Sequence, residues 1–412
     1  MSRNSFYIIF LLMVSLAGLH AQELRPHKNL ETTNIRHIYD LQAPVALEYR
    51  LASGEDEFTV FLQLTERLRP TGDMRISFEL RPDFESDNIL STGLIDSTYL
   101  IASEEQQTYY RFTIPENADA GYLFVFVNKV FNGQEAEFRF DIPLGTEQNF
   151  PVADLIPMRA DADIPIFNNY ITRGTSFRLV SIYHEQPQAF VYQYSHNFEP
   201  NPPPMASDDA DVQPNLQIDS IFPVELNQNI SLQDEGLYFA QLDTTSLAGM
   251  AFRVESKYYP RFVEAKELID PLRYISTSDE MNLLQEAEEE KLALDRYFIK
   301  VTRSRERAKE MIRDYYRQVT AANRLFTTYK EGWKTGQGMV YLLYGPPNRV
   351  YRNSNGETWE YTGGSNLVDL SFNFVKVRNI FTDKHYNLLR DEDYRRFWFR
   401  NIDLWRKGIK QI

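Results

Sequence analysis

The sequence predicts a multidomain protein, β-rich plus α+β, in which two β-sandwich-like domains precede a domain of helices and an antiparallel sheet. Apolar and polar residues alternate in short runs up to about residue 258, helical stripes replace them after Pro260, and more alternating runs follow. We therefore predict five segments: a signal peptide (1–21), a first β domain (22–150), a second β-rich domain (151–260), an α+β domain (261–385) and a C-terminal helix (386–412).

The first 21 residues are typical of a secretory signal peptide. Arg3 supplies a positive start, residues 6–19 are an apolar run, and Leu19-His20-Ala21 provides a small-residue cleavage site. The run is shorter than the roughly 20 apolar residues of a membrane-spanning helix, although an uncleaved anchor is the alternative. No cysteine follows it for lipid attachment, so we expect an exported chain without a transmembrane segment after cleavage.

The composition narrows the classes of function. The chain has 412 residues, a formal net charge of −14 and no cysteine. An acidic surface disfavours nucleic-acid binding, which needs clustered Lys and Arg. The absence of cysteine excludes disulfides, thiol catalysis, thiolate zinc sites and iron–sulfur clusters. Its 28 Phe and 25 Tyr are available for sizeable cores instead.

Period-2 alternation predicts the strands of both β domains. In the first domain, the alternating runs are residues 46–51, 58–64, 74–80, 108–114, 122–127 and 136–142, and their density predicts a sandwich. In the second domain, the runs are residues 176–183, 189–195, 236–242 and 250–254. Residues 197–215, rich in proline and acidic residues, are expected to form a long loop.

Three helices are predicted after Pro260. The first covers residues 262–275, the second runs from a Thr277 or Ser278 cap to about Val301, and the third begins near Arg305. Their apolar stripes are interpreted as core-facing.

A series of short motifs follows the helices. Residues 339–344 are predicted to be a strand, and Asn355-Gly356 a tight turn between strands. The motif residues are Gly332, Trp333, Thr335, Gly336, Tyr344, Gly345, Pro346, Pro347, Trp359 and Tyr361. In this order and spacing they resemble the GWxTD domain family, which occurs in exported proteins of Bacteroidetes and related bacteria. The resemblance covers about residues 262–381 and implies a compartment, namely the periplasm, the outer-membrane surroundings or the cell surface, but no activity.

Two features of the motif bear on its role. The Asp that gives the family its name is Gly336 here, so a catalytic or metal-binding use of that Asp is closed to this chain and a structural role is favoured. Trp333 and Trp359 are interpreted as buried core residues, and exposed ligand platforms are the alternative.

The C-terminal helix has an amphipathic pattern. Acidic residues 391–393 suit a helix N-terminus, and residues 394–412 carry a net charge of about +5. This face is our candidate interaction surface, for a protein partner or as a peripheral membrane contact. The alternative is a helix packed on its own domain. The residues of the face are Trp398, Ile402, Trp405 and Ile409.

The sequence contains no recognisable catalytic motif. It lacks G-x-S-x-G and the glycine-rich phosphate loops, and His184-Glu185 is not followed by the second histidine of H-E-x-x-H. Residues 208–211 resemble half of a calcium loop without its glycine and are expected to be solvated. No catalytic residue, cofactor or metal is therefore predicted.

We expect a non-enzymatic scaffold or binding protein of the bacterial cell envelope, acting with other envelope proteins, including an outer-membrane complex. One alternative is an envelope hydrolase that acts on glycan or protein, which would need two carboxylates about 5–9 Å apart in a cleft, or a histidine in contact with Ser or Asp. Another is carbohydrate binding through a row of exposed aromatic residues.

Overall fold

The computed structural model describes residues 27–67, 74–117, 119–131, 133–145, 152–207, 216–362 and 369–409. The predicted signal peptide and the acidic residues 208–211 lie outside these ranges. Within them, none of the helices combines the length and the apolar character needed to cross a membrane.

The first β module is a sandwich of two four-stranded antiparallel sheets. One sheet has the order β1-β2-β6-β5 and the other β4-β3-β7-β8. The strands are β1 (Val45–Ser53), β2 (Glu57–Glu66), β3 (Met74–Arg81), β4 (Ser91–Ile95), β5 (Leu100–Glu104), β6 (Gln107–Pro115), β7 (Tyr122–Phe131) and β8 (Gln134–Pro143). All six predicted runs are strands, because alternating side chains such as Val60, Leu62 and Val125 meet between the sheets. The short strands β4 and β5 were not predicted.

An N-terminal strap, residues 27–44, covers the outer face of this sandwich. Leu30 packs with Phe84 and Phe124 on that face, so β7 is buried on both sides. His27 stacks on Phe126 and lies within 2.9 Å of Glu79 and Glu137. Burial opposes its charge, but the two carboxylates raise the pKa of His27 to about 9. The strap then continues into the C-terminal core.

The second β module consists of a five-stranded sheet, β10-β16-β15-β12-β13, and a three-stranded sheet, β14-β11-β9. The pairing is antiparallel except between β10 and β16. The strands are β9 (Ile156–Arg159), β10 (Tyr170–Thr172), β11 (Ser176–Val180), β12 (Gln188–Tyr194), β13 (Ser220–Glu225), β14 (Ile230–Ser231), β15 (Gly236–Gln241) and β16 (Met250–Glu255). The four predicted runs are strands, and the described part of the predicted loop, residues 197–207, contains no helix or strand.

The C-terminal domain begins with helices. They are α1 (Ala265–Ile269), α2 (Ser278–Gln285), α3 (Glu290–Thr302), α4 (Arg305–Phe326), α5 (Gly336–Tyr344) and α6 (Tyr394–Arg406). The predicted helix 262–275 is α1 followed by a 3-10 turn, Asp270–Tyr274, because Pro271 has no N–H to continue the α-helical ladder. The predicted helix from Thr277 to about Val301 is two helices, α2 and α3.

The prediction of a strand at residues 339–344 is wrong, because this segment is helix α5. Residues 336–343 are all buried, so no alternation of exposed and buried positions distinguishes a helix from a strand here. Thr335 caps the helix by accepting a hydrogen bond from the Gly338 N–H, and Gly345 ends it with φ at +80°. The helix lies in the centre of the domain, against α4 and residues 386–388.

The C-terminal sheet packs against these helices. Its strands run antiparallel in the order β17-β18-β19-β20. They are β17 (Arg349–Asn353), β18 (Gly356–Tyr361), β19 (Leu370–Lys376) and β20 (Tyr386–Leu388). The predicted turn at Asn355-Gly356 joins β17 to β18, and a Cβ at Gly356 would lie 1.9 Å from the Phe374 carbonyl oxygen.

The C-terminal helix α6 corrects the predicted interaction surface. Trp398 and Trp405 are 2% and 1% exposed and belong to the core, and Ile402 packs against it. Only Ile409 is exposed. The Trp405 indole N–H donates to the Leu343 carbonyl at 3.0 Å, so the apolar face of α6 is covered by α5. The helix is therefore packed on its own domain, which was the alternative to an interaction surface.

We expect Trp405→Ala to lower the free energy of unfolding by about 3–5 kcal/mol, because a large buried ring and its hydrogen bond are lost. Phe399→Ala on the exposed face of the same helix is the control, with an expected change within about 0.5 kcal/mol. Urea denaturation measures both values. Equal stability of the two variants would restore the surface interpretation.

Candidate functional site

The GWxTD-type motif forms a tight turn that starts helix α5. Gly332, Trp333 and Lys334 make one turn of 3-10 helix, and Thr335 is the N-cap of α5. The Thr335 hydroxyl also donates to the Gly332 carbonyl at 2.8 Å, which closes the turn on itself. Trp333 is 1% exposed, so the core interpretation of this residue is confirmed.

Gly332 is required by a close approach of two backbone segments. A Cβ at this position would lie 2.1 Å from the carbonyl oxygen of Ala322 in helix α4. Asn323, the next residue of α4, accepts a hydrogen bond from the Trp333 N–H at 3.1 Å through its Oδ1. The turn is therefore docked on α4 through backbone contacts that no larger residue would permit.

The position of Gly336 explains the departure from the family motif. Gly336 is the first residue of α5, where an Asp would favourably face the positive end of the helix dipole. A Cβ here would meet only the side-chain amide of Asn201, at 3.1 Å, and Leu388 beyond it. Gly336 lines a pocket of only about 10 Å³, together with residues such as Asn201 and Gln337.

The remaining motif residues gather at the other end of α5. The Tyr361 hydroxyl donates to the Gly345 carbonyl at 2.9 Å, and its ring lies 5.4 Å from that of Tyr344. Tyr344 also contacts Trp398 of α6, with ring centroids 6.0 Å apart. Pro346 and Pro347 then lead the chain into β17.

Charged side chains beside the motif turn join it to the second β module. Lys334 lies 2.9 Å from Glu331 and donates to the side chain of Asn197 at 2.6 Å. Arg253 of β16 lies 3.8 Å from Glu331 and donates to the Tyr329 carbonyl at 3.0 Å. Burial opposes the charge of Glu331, but Arg253 and Lys334 hold its pKa below the usual value.

A second polar cluster, which we call the junction network, connects the strap, the first sandwich and the C-terminal sheet. Its centre is Glu357, a fully buried carboxylate on β18. Arg352 Nε donates to it at 2.6 Å, the Tyr39 hydroxyl at 2.8 Å and Gln337 Nε2 at 2.9 Å. The indole of Trp359, itself fully buried, adds a fourth hydrogen bond at 2.8 Å. The members of the junction network are Tyr39, Asp141, Gln337, Arg352, Glu357 and Trp359.

Arg352 connects the two sides of the junction network. Its Nη1 donates to Asp141 of β8 at 3.2 Å, and Asp141 also forms a 2.8 Å ion pair with Arg139. Burial disfavours the charge of Arg352, but Glu357 holds its pKa above the ordinary value. Burying the charges of Arg352 and Glu357 costs solvation free energy. This cost is offset only while the counter-ion and the hydrogen bonds of each charge are in place.

His37 of the strap lies next to the junction network. Its Nε2 donates to the Arg139 carbonyl at 2.9 Å, and its ring stands edge-on to Phe140 at 5.1 Å. Burial lowers the pKa of His37 from 6.5 to about 4. The strap is therefore attached by a neutral imidazole.

The junction network was not predicted from the sequence. One signal was available: Glu357 and Trp359 are two residues apart on a strand and share a face, so a buried Trp359 implies a buried Glu357. The register of the hairpin then places Arg352 opposite Glu357. The partners Tyr39 and Asp141 are more than 200 residues away and have no local signal.

Asp154, Ser181 and His184 come together, which is the contact that a hydrolase would need. The His184 Nδ1 lies 2.9 Å from the Asp154 carboxylate. The Ser181 hydroxyl donates to the same carboxylate at 2.5 Å, and the backbone N–H groups of residues 182–184 point to it as well. Ser181 is therefore bound to the acid and not to the imidazole, so the group anchors a loop and does not activate the serine.

The described ranges contain no group of three or more His, Asp or Glu residues arranged to hold a metal ion. The His196 ring stands edge-on to Phe198 with ring centroids 4.9 Å apart.

Comparison with known proteins confirms the predicted resemblance. The family model of the GWxTD domain matches residues 236–407. The match begins at β15, inside the second β module, and ends in α6, so it is longer than the predicted stretch 262–381. No curated protein matches the sequence. Among solved structures, one that is similar in part is a chimeric titin Z1Z2-Z1Z2 tandem functionalized with a GRGDS peptide from fibronectin, at 14% sequence identity. The match covers 51% of this chain and 97% of the titin chain, with a TM-score of 0.15.

We expect Gly332→Ala to destabilise the protein by about 3 kcal/mol or more, because the new methyl group would overlap the Ala322 carbonyl oxygen. Gly336→Ala is the matched control, in which a gain of about 1 kcal/mol in helix propensity offsets the close Asn201 amide. Thermal and urea unfolding measure both. A Gly332→Ala variant as stable as the control would contradict the docking of the turn on α4.

Arg352→Met is expected to cost about 3–5 kcal/mol of unfolding free energy, because it leaves Glu357 and Asp141 as buried charges without their shared partner. Arg349→Met on the same strand removes an exposed arginine 3.7 Å from Glu360 and is expected to cost less than about 1 kcal/mol. Urea titration at neutral pH compares the two. A cost for Arg352→Met no larger than for Arg349→Met would mean that the junction network adds no stability.

The lowered pKa of His37 predicts a loss of stability in acid. The unfolded chain binds a proton at His37 near pH 6.5 and the folded chain only near pH 4, so its contribution is complete above pH 6.5 and is lost as the pH falls to 4. We expect the loss to reach up to about 3 kcal/mol. Unfolding of the unaltered protein and of His37→Gln, measured from pH 7 to 4, isolates this slope; parallel curves would disprove the assignment.

Proposed function

Because residues 236–407 carry a GWxTD domain, we propose that the protein is an exported, non-enzymatic scaffold or binding protein of the bacterial cell envelope. It works in the periplasm or at the outer membrane, together with other envelope proteins. The signal-peptide pattern of residues 1–21 and what the domain resemblance implies both support this compartment.

The observation that best supports a scaffold is that the polar residues around the motif bind other modules of the same chain. The carboxylate of Glu357 accepts four hydrogen bonds, and all four donors belong to the protein itself. Glu331 and Lys334 likewise face Arg253 and Asn197 of the second β module. Both groups of charged residues therefore hold one module to the next.

A rigid junction suits a protein that presents surfaces at fixed relative positions. The described β modules supply sixteen strands and the C-terminal domain four more, and loops at their ends are the usual positions of binding residues. Locking the modules also removes the entropy cost of fixing their arrangement when a partner binds.

The test is purification of the tagged protein from envelope fractions of the bacterium that makes it. We expect a stoichiometric complex with envelope proteins that survives size-exclusion chromatography. Recovery of the protein alone, or an enzymatic activity toward envelope glycan or protein, would contradict the proposal.

A matched pair of leader variants tests export separately. Leu11→Arg together with Leu12→Arg interrupts the apolar run and is expected to retain the protein in the cytoplasm, whereas Asn4→Gln leaves the run intact. Equal fractionation of the two variants would contradict the signal-peptide assignment.

A further inference from the structure

A cavity of about 200 Å³ opens where the three modules meet. The first sandwich contributes β1 and the end of β8, the second β module contributes residues 167–170, and the C-terminal domain contributes β17, β19 and residues 383–386. The junction network forms one wall of this cavity, but most of the lining does not belong to it.

The cavity concentrates positive charge in a chain whose net charge is −14. Among its lining cations, only Arg352 forms an ion pair within 4 Å with a carboxylate of the part of the chain that the structure describes. Four carboxylates line the same cavity and offset part of this positive charge. Asp141 pairs with Arg139 and Arg352, Asp40 lies 3.5 Å from Arg36, and Asp383 accepts the hydrogen bond of the Tyr49 hydroxyl. Glu48 is the fourth. The lining cations are Arg50, Arg67, Arg324, Arg352, Lys376 and Lys384.

Two of these cations are held by aromatic rings. The Lys376 Nζ lies 5.3 Å from the centre of the Tyr122 ring and 3.5 Å from its hydroxyl. The Lys384 Nζ lies 4.9 Å from the centre of the Tyr49 ring. A cation–π contact orients an ammonium group without neutralising it. Burial also lowers the pKa of Lys376, although the carboxylate of Asp383 opposes this shift.

Arg50 adds a fixed positive charge to the same wall. Its guanidinium donates to the Ile166 carbonyl at 2.9 Å, to the Asn168 carbonyl at 2.6 Å and to the Asn169 side chain at 3.1 Å. All three acceptors are neutral, so they hold the charge of Arg50 in place, and the carboxylates of Asp383 and Glu48 attract it without a direct ion pair. This arrangement favours an anion in the cavity.

We propose that the cavity binds a small organic anion, a carboxylate or phosphate on a frame no larger than a monosaccharide, through Lys376 and Lys384. The volume is below the roughly 300 Å³ at which pockets for drug-sized ligands begin, which sets the size limit. Tyr49, Tyr122 and Tyr386 provide apolar ring faces beside the charges, as sugar rings require. This inference names a ligand that the scaffold function does not need.

The experiment is isothermal titration of the full chain, without its predicted leader, with three probes. D-glucuronate and D-glucose 6-phosphate test a carboxylate and a phosphate on the same sugar frame, and D-glucose is the neutral control. We expect one or both acids to bind, with an affinity that falls as NaCl is added, and glucose not to bind. Absence of binding by both acids in millimolar excess, or equal binding of glucose, would overturn the proposal.

Variants of the two lysines connect the binding to this cavity. Lys384→Gln alters an exposed side chain and Lys376→Gln a half-buried one, and each is expected to weaken binding about tenfold or more. Lys291→Gln, far from the cavity on α3, is the control and leaves the affinity unchanged. Circular dichroism checks the folding of each variant. Unaltered affinity in folded Lys384→Gln would overturn the assignment, whatever the outcome of the envelope purification.

Discussion

The buried ion pair between Arg352 and Glu357 constrains much of this structure. Neither charge is tolerated in a protein interior unless its partner and the remaining hydrogen bonds are all present. The groups that meet this need come from the strap (Tyr39), the first sandwich (Asp141) and helix α5 (Gln337). The C-terminal sheet is therefore bound to the strap and to the first sandwich through these buried hydrogen bonds.

The GWxTD-type motif forms the other half of this framework. Gly332 lets the turn touch α4, Trp333 fills the core, and Thr335 starts the central helix on which Gln337 is carried. Each of these roles is geometric, and none needs the Asp that Gly336 replaces. The motif thus positions one of the donors to Glu357, which links the local turn to the junction between modules.

Much of the fold was predictable from the sequence, and the failures have identifiable causes. Period 2 located strands such as β2 and β7, because one face of each is buried in the sandwich. The same logic failed for α5, since a segment buried on every side shows no period. For α6 the amphipathic pattern was right, but no local signal tells a face that binds a partner from one that packs on its own domain. The junction network was not predicted because its members are distant in sequence.

The junction network is expected to couple the first sandwich and the C-terminal domain, so that they unfold together. All four tryptophans lie in the C-terminal domain, so their fluorescence reports its unfolding, whereas far-UV circular dichroism is dominated by the strands of the β modules. Urea unfolding of the unaltered protein, followed by both signals, is the most direct test. If the modules are coupled, we expect a single transition with the same midpoint for both probes. Two separate midpoints would show that the modules unfold independently and would contradict this coupling.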